Sequence, residues 1–164
     1  MRRMILLLPF LVLACQSTDS AQLEADNQSV VLAFIEGLDT QNWTIFDELM
    51  TPDTRIYGPG QAEPATPDQL KEFIPPYFEV FPDYVHNVQD AFATGDRVVV
   101  RCTPSGTQHA EWMGIPNTGA RFEYGWLGVF RVAEGKIVEG WIQEDNLWMM
   151  QQLGMELRPA QSES

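Results

Sequence analysis

The chain has 164 residues, a formal net charge of −13, 45% hydrophobic and 20% charged residues. That length suits one domain with a sizeable core. So acidic a surface repels nucleic acid and anionic lipid, which discounts both as electrostatic partners, and two cysteines make no disulfide framework.

Arg2 and Arg3 precede an apolar run from Met4 to Ala14 that is too short for a permanent membrane helix. The run ends in Val12 to Cys15, VLAC, which resembles a bacterial lipobox in which Cys15 becomes the diacylated first residue. The reading is a lipoprotein signal peptide at 1–14, a flexible polar tether at 15–25, one domain at 26–156 and a frayed tail at 157–164. An ordinary signal peptide or a buried N-terminal helix are the alternatives. Loss of Arg2 and Arg3 takes the charge to −15. Gln16 rather than Asp follows the Cys, which favours the outer membrane, facing the periplasm, as the location.

Asp26 or Asn27 can cap a first helix with Val30, Val31, Phe34 and Ile35 on one stripe, ending near Gly37 to Asn42. A second short helix carries Trp43, Phe46 and Leu49 inward. A Pro- and Gly-rich loop surrounds a brief strand at Arg55 to Tyr57. Thr66-Pro67-Asp68 opens a third helix, which Pro75-Pro76 should break or kink. Alternating segments follow: Tyr84 to Ala93, Arg97 to Thr103, Gly106 to Met113, Ala120 to Val132 and Lys136 to Gln143, with a hairpin turn at Ala133-Glu134-Gly135. Helices first and antiparallel strands afterwards indicate α+β: three N-terminal helices closing a strongly curved, mostly antiparallel sheet into a cone-shaped barrel.

A cone of this size tends to leave an apolar pocket. Phe122, Tyr124, Trp126 and Phe130 share one strand face, and neighbouring strands add Trp112 and Trp141. Trp112, Tyr124, Trp126 and Trp141 are the candidate pocket lining, because Tyr and Trp carry polar handles better suited to a cavity wall than to a dry core. Strand alternation places Ile137, Glu139, Trp141, Gln143 and Asp145 together, and Asp145 sits where a strand meets a helix. It reads either as a general base at the pocket mouth or as the cap of the following helix. Arg101 either points outward or pairs with Asp145 or Glu139. His86 and His109 are far apart, and no group of His, Cys or carboxylates has metal-ligand spacing. No phosphate-binding glycine loop or nucleophile elbow is present. Metal-free, cofactor-free proton transfer is therefore the expected chemistry. Cys102 reads as a buried small hydrophobe.

Gly95 to Arg101 (GDRVVVR), Gly106-Thr107, Gly114 to Gly119 (GIPNTG) and the closing GKIVEGW…D…L…QQLG occur in an order that resembles the SnoaL-like polyketide cyclase and ester cyclase family of the nuclear-transport-factor-2-like superfamily. The resemblance covers roughly Val30 to Gly154. It implies the cone fold and, more loosely, aldol ring closure with an Asp moving the proton, at Asp145 here. Many members read His-x-Gly after the Gly-Thr pair. This chain reads Gln108-His109-Ala110, which puts Gln108 in the family's His position. Gln108 or His109, with Arg101, would then orient a carbonyl. Two functions remain open: a cyclase-, isomerase- or hydrolase-like enzyme on a small apolar molecule, or a non-catalytic binder using the same pocket. A second copy of the chain is a candidate partner, and the membrane is reached only through Cys15.

Overall fold

The computed structural model describes residues 13–157, with side chains from Asp19 onward. The expected signal segment before Leu13 and the expected tail beyond Leu157 lie outside the described residues. Among the described residues no helix is long and apolar enough to cross a membrane.

Helix α1 (Leu13–Asp39) and the short α2 (Ile45–Leu49) lead into strand β1 (Met50–Tyr57) and helix α3 (Pro67–Val80). The expected tether at 15–25 is helical backbone, and α1 does not start at a cap on Asp26 or Asn27. That stretch is rich in Ala, Gln, Leu and Glu, which favour helix, and it is tied down: the Glu24 carboxylate accepts from the Gly95 N–H (2.9 Å) and the Asn27 amide donates to the Gly95 carbonyl (2.9 Å). Helix α3 starts where expected. Thr66 Oγ1 accepts from the Gln69 N–H and Gln69 Oε1 accepts from the Thr66 N–H, a reciprocal cap. It does not stop at Pro75-Pro76 but runs through both to Val80. This carries Tyr77 and Phe78 to the interior, where Tyr77 packs its ring at 4.7 to 5.2 Å from Phe81, Tyr84 and Trp112.

Strands β2 (Val88–Thr94), β3 (Arg97–Cys102), β6 (Trp126–Ala133) and β7 (Lys136–Glu144) join β1 in a sheet of order β1-β7-β6-β3-β2. The β1–β7 pairing is parallel and the others antiparallel. Strands β4 (Ser105–Thr107) and β5 (Arg121–Glu123) form a separate ladder, so Gly106 to Met113 is mostly loop and Ala120 to Val132 is two strands. Helix α4 (Asn146–Gln152) follows β7. The α+β class stands, with two corrections: the five-stranded mixed sheet is not a closed barrel, and a strand separates the second and third helices while a fourth ends the described fold. Parallel pairing of β1 requires its long crossover to β7, which local alternation does not announce.

Alternate residues of β3 (Val98, Val100, Cys102) and β6 (Trp126, Phe130, Val132) face inward and pack with Val31, Phe34, Ile35 and Leu38 of α1. Phe34 meets Phe46 and Phe130 edge-on at 6.0 and 6.2 Å. One-residue irregularity in β7 sets the geometry of the site. Arg131 pairs with Glu139, but Val132 pairs with Ile137, leaving Val138 as an extra residue. A bulge of this kind flips the alternation. Ile137 faces inward before it; Gly140, Ile142 and Glu144 do so after it.

Candidate functional site

Between α3, α4 and the inner sheet face lies a cavity of about 360 Å³. Its wall is largely aliphatic and aromatic: Leu38, Ile56, Leu70, Ile74, Tyr77, Phe78, Trp112, Trp126, Met149 and Met150. Phe73 and Met113 stand half exposed or more among its lining residues. Polar side chains break this surface at Gln61, Tyr84, His86, Tyr124, Glu144 and Asn146.

His86 is buried, and its position follows from local chain geometry. Val85 exchanges backbone hydrogen bonds with Ser105, which turns Tyr84 and His86 to the same side. Asn87 then takes a left-handed conformation (φ 45°) and fixes the bend by donating its amide to the Thr103 carbonyl and Ser105 Oγ; Asn tolerates this region better than most residues. Asp39, the last residue of α1, accepts from His86 Nδ1 (2.6 Å) and from the His86 backbone N–H (3.1 and 3.2 Å). A carboxylate only accepts, so Nδ1 carries a proton, and in the neutral ring the lone pair is on Nε2. Nε2 makes no hydrogen bond among the described residues, and the ring lines the cavity between Tyr84 and Trp126.

The second polar feature is a chain of hydroxyls. Tyr124 OH lies 3.2 Å from Glu144 Oε2 and 2.8 Å from the Tyr84 hydroxyl; with Glu144 ionised, Tyr124 donates to it and Tyr84 donates to Tyr124 in turn. Asn146 donates to Glu144 Oε1 (3.3 Å). Burial raises the Glu144 carboxyl above its ordinary pKa, outweighing the hydrogen bonds from Asn146 and Tyr124 and the electrostatic influence of His86. Burial likewise pushes the hydroxyls of Tyr77, Tyr84 and Tyr124 upward, so they remain protonated donors.

The expected lining is three-quarters assembled: Trp112, Tyr124 and Trp126 line the cavity. Trp141 does not. The bulge at Val138 puts it on the outer sheet face, stacked on Tyr57 (5.8 Å) with the Arg97 guanidinium over its ring (5.4 Å). The same parity change removes Asp145 from the interior. It is exposed, and its carboxylate accepts from the Trp148 N–H (3.0 Å) as the cap of α4. Arg101 is exposed too and lies with Asp145 along an open outer groove that also borders Trp126 and Glu144. His109 is exposed. Gln108 is buried with both ends of its amide spent on the loop beyond it: Nε2 donates to the Ile115 carbonyl, and Oε1 accepts from the Thr118 N–H and Oγ1. That clamp holds the loop from which Trp112 reaches the cavity, and Gln108 itself is not among the residues that line it. Cys102 is buried in β3 and burial pushes its thiol up to about 12. Among the described residues no group of three or more His, Cys, Asp or Glu is placed to hold a metal ion.

Sequence reading thus missed Asp39, Tyr84, His86 and Glu144. The Tyr84-Val85-His86 alternation signals a shared face; nothing local signals that a helix-terminal Asp meets His86.

The SnoaL-like polyketide cyclase family profile matches residues 28–153. Among solved structures, the chain is similar to IdmH from Streptomyces antibioticus, a proposed polyketide cyclase, at 34% identity over 79% of this chain and 99% of that one, with a TM-score of 0.72. It is also similar to a proposed SnoaL-like polyketide cyclase from Jannaschia at 25% identity, covering 82% and 96%, with a TM-score of 0.74. AclR of Streptomyces galilaeus, a proposed hydroxylase, shares the fold at 23% identity, covering 80% and 97%, with a TM-score of 0.72. No curated protein matches the chain.

Proposed function

The chain belongs to the SnoaL-like polyketide cyclase family, and we propose that it is an exported, lipid-anchored enzyme that acts on a small apolar carbonyl compound by metal-free acid–base chemistry. The observation that carries this reading is the meeting of an Asp39-backed His86, its Nε2 unengaged, with a tyrosine pair on the wall of an otherwise apolar cavity. A base held in one tautomer beside hydroxyl donors is what enolate chemistry requires.

In this scheme His86 Nε2 takes a proton from the carbon next to a carbonyl. The C–H electron pair moves into the carbonyl, and the imidazolium left on His86 stabilises the enolate. The enolate carbon then attacks a second carbonyl of the same molecule, a C–C bond closes the ring, and the second oxygen becomes an alkoxide. Asp39 does not take the proton; it orients the imidazole and stabilises its cationic form. Cys15 lies near the start of α1; as the lipidated N-terminus it would hold the domain at the outer membrane, facing the periplasm.

The test uses benzoylacetone, a small apolar β-diketone, in deuterated water. Wild-type protein is expected to speed deuteration at the carbon between the carbonyls. His86→Asn is expected to lower that rate about 10²- to 10⁴-fold while still binding the compound, as read by quenching of Trp112 and Trp126. Binding without any acceleration by the wild type would instead assign the cavity to a non-catalytic carrier.

A further inference from the structure

We propose that Glu144, acting through Tyr124 and Tyr84, is the proton source for the alkoxide that ring closure leaves behind. The proposal rests on the reading of His86 as the base that begins the reaction. That scheme consumes no proton donor until its last step, and the imidazolium stands at the enolate end of the substrate. A second donor is needed elsewhere on the wall. The Tyr84–Tyr124–Glu144 chain is continuous at 2.8 and 3.2 Å and opens on the same cavity.

Direction is the key to the chain. When Glu144 is ionised it only accepts, so Tyr124 donates to it and Tyr84 donates to Tyr124 across the 3.2 and 2.8 Å contacts. When Glu144 is protonated its O–H donates to Tyr124, Tyr124 donates to Tyr84, and the Tyr84 O–H is released toward the cavity. Three coupled transfers then deliver one proton: Tyr84 to the alkoxide, Tyr124 to Tyr84, Glu144 to Tyr124. Three O–H bonds break and three form, and the chain ends with Glu144 ionised and both hydroxyls turned toward it. Asn146, donating to the other carboxyl oxygen, holds the carboxyl in place throughout. Recharging has a route. Glu144 also borders the outer groove that Arg101 and Asp145 line, so it regains a proton from solvent there while His86 loses one.

The titratable groups around Glu144 are Tyr84, Tyr124, Tyr77 of α3 and His86 with Asp39 behind it; Arg101 of β3 and Asp145 lie along the groove side. Of these, Glu144 is the carboxyl that burial raises. Ring closure by the wild type should therefore fall as pH rises through the Glu144 titration.

The experiment follows two rates in one sample of a phenyl δ-diketone that closes to a phenyl-substituted hydroxycyclohexanone: deuterium exchange and ring closure, both by NMR. Glu144→Gln and Tyr124→Phe are each expected to slow closure about 100-fold more than they slow exchange, and the high-pH fall in closure should vanish in Glu144→Gln. Loss of both rates by the same factor would mean damage to the cavity and overturn the relay. So would closure at the wild-type rate in either variant, or a wild type that exchanges without closing. A wild type that does not exchange overturns the base assignment itself, and the relay with it.

Discussion

Glu144 keeps its carboxyl against Tyr124 and Asn146 on a largely apolar wall, and that location has a thermodynamic consequence apart from any reaction. Its pKa is raised by burial, so the folded state favours the neutral form. The stability this contributes is fully present below the ordinary carboxyl pKa of about 4.3 and is lost as pH rises through the folded value. Gln at this position cannot ionise. The stability of Glu144→Gln relative to wild type is therefore expected to increase as pH rises from the acid side, measured by urea denaturation across pH; an offset independent of pH would contradict the assignment. Asp145, one residue on, is solvated and caps α4. Choosing between these neighbours from sequence required knowing the parity of β7. Counting by twos from Ile137 selects Trp141 and Asp145; the extra Val138 selects Ile142 and Glu144 instead. Bulges leave no composition signal, so the aromatic lining from β6 was legible and the acid from β7 was not.

Strand β6 makes the cavity wall through an omission. A Cβ on Gly128 would lie 2.4 Å from the Trp126 ring and 2.6 Å from Phe130, so only glycine lets these rings approach at 6.3 Å across the strand. Gly128→Ala is expected to cost about 1–3 kcal/mol from overpacking and to weaken benzoylacetone binding as Trp126 shifts, read by denaturation and fluorescence titration. Unchanged stability would mean that the rings have room to spare. Elements with strong local punctuation were readable: the Thr66 opening of α3 and the Glu134-Gly135 hairpin, with φ of 53° and 71° at Glu134 and Gly135. Those set by tertiary contacts were not. Helix α3 survives two prolines because its last turn is buried against Phe81 and Tyr84, and α1 extends upstream because Glu24 and Asn27 grip the β2–β3 turn. In α4 the buried position is Met149, followed by Leu153 just past its end, while Leu147 is exposed.

At the level of the whole chain, the α+β order and the family were legible from motif order, whereas the path of β1 beside β7 was not, since parallel pairing joins residues far apart in sequence. Export is argued from the first fifteen residues. A domain of net charge −13 has no electrostatic attraction for anionic lipid, so acyl chains on Cys15 would be its hold on a membrane. Cys15→Ser is expected to move the protein from the membrane fraction to the soluble one, with mass spectrometry of the wild type finding a lipidated Cys15; an unmodified N-terminus elsewhere would contradict the anchor. The central claim is that chemistry belongs to the cavity and not to the outer groove that Asp145 lines. Deuteration of benzoylacetone by His86→Asn and Asp145→Ala, measured side by side, tests it most directly. The account predicts a loss of about 10²- to 10⁴-fold for His86→Asn, and for Asp145→Ala a loss under about tenfold with the roughly 1 kcal/mol destabilisation of a missing cap. Full activity in His86→Asn together with a dead Asp145→Ala would contradict it.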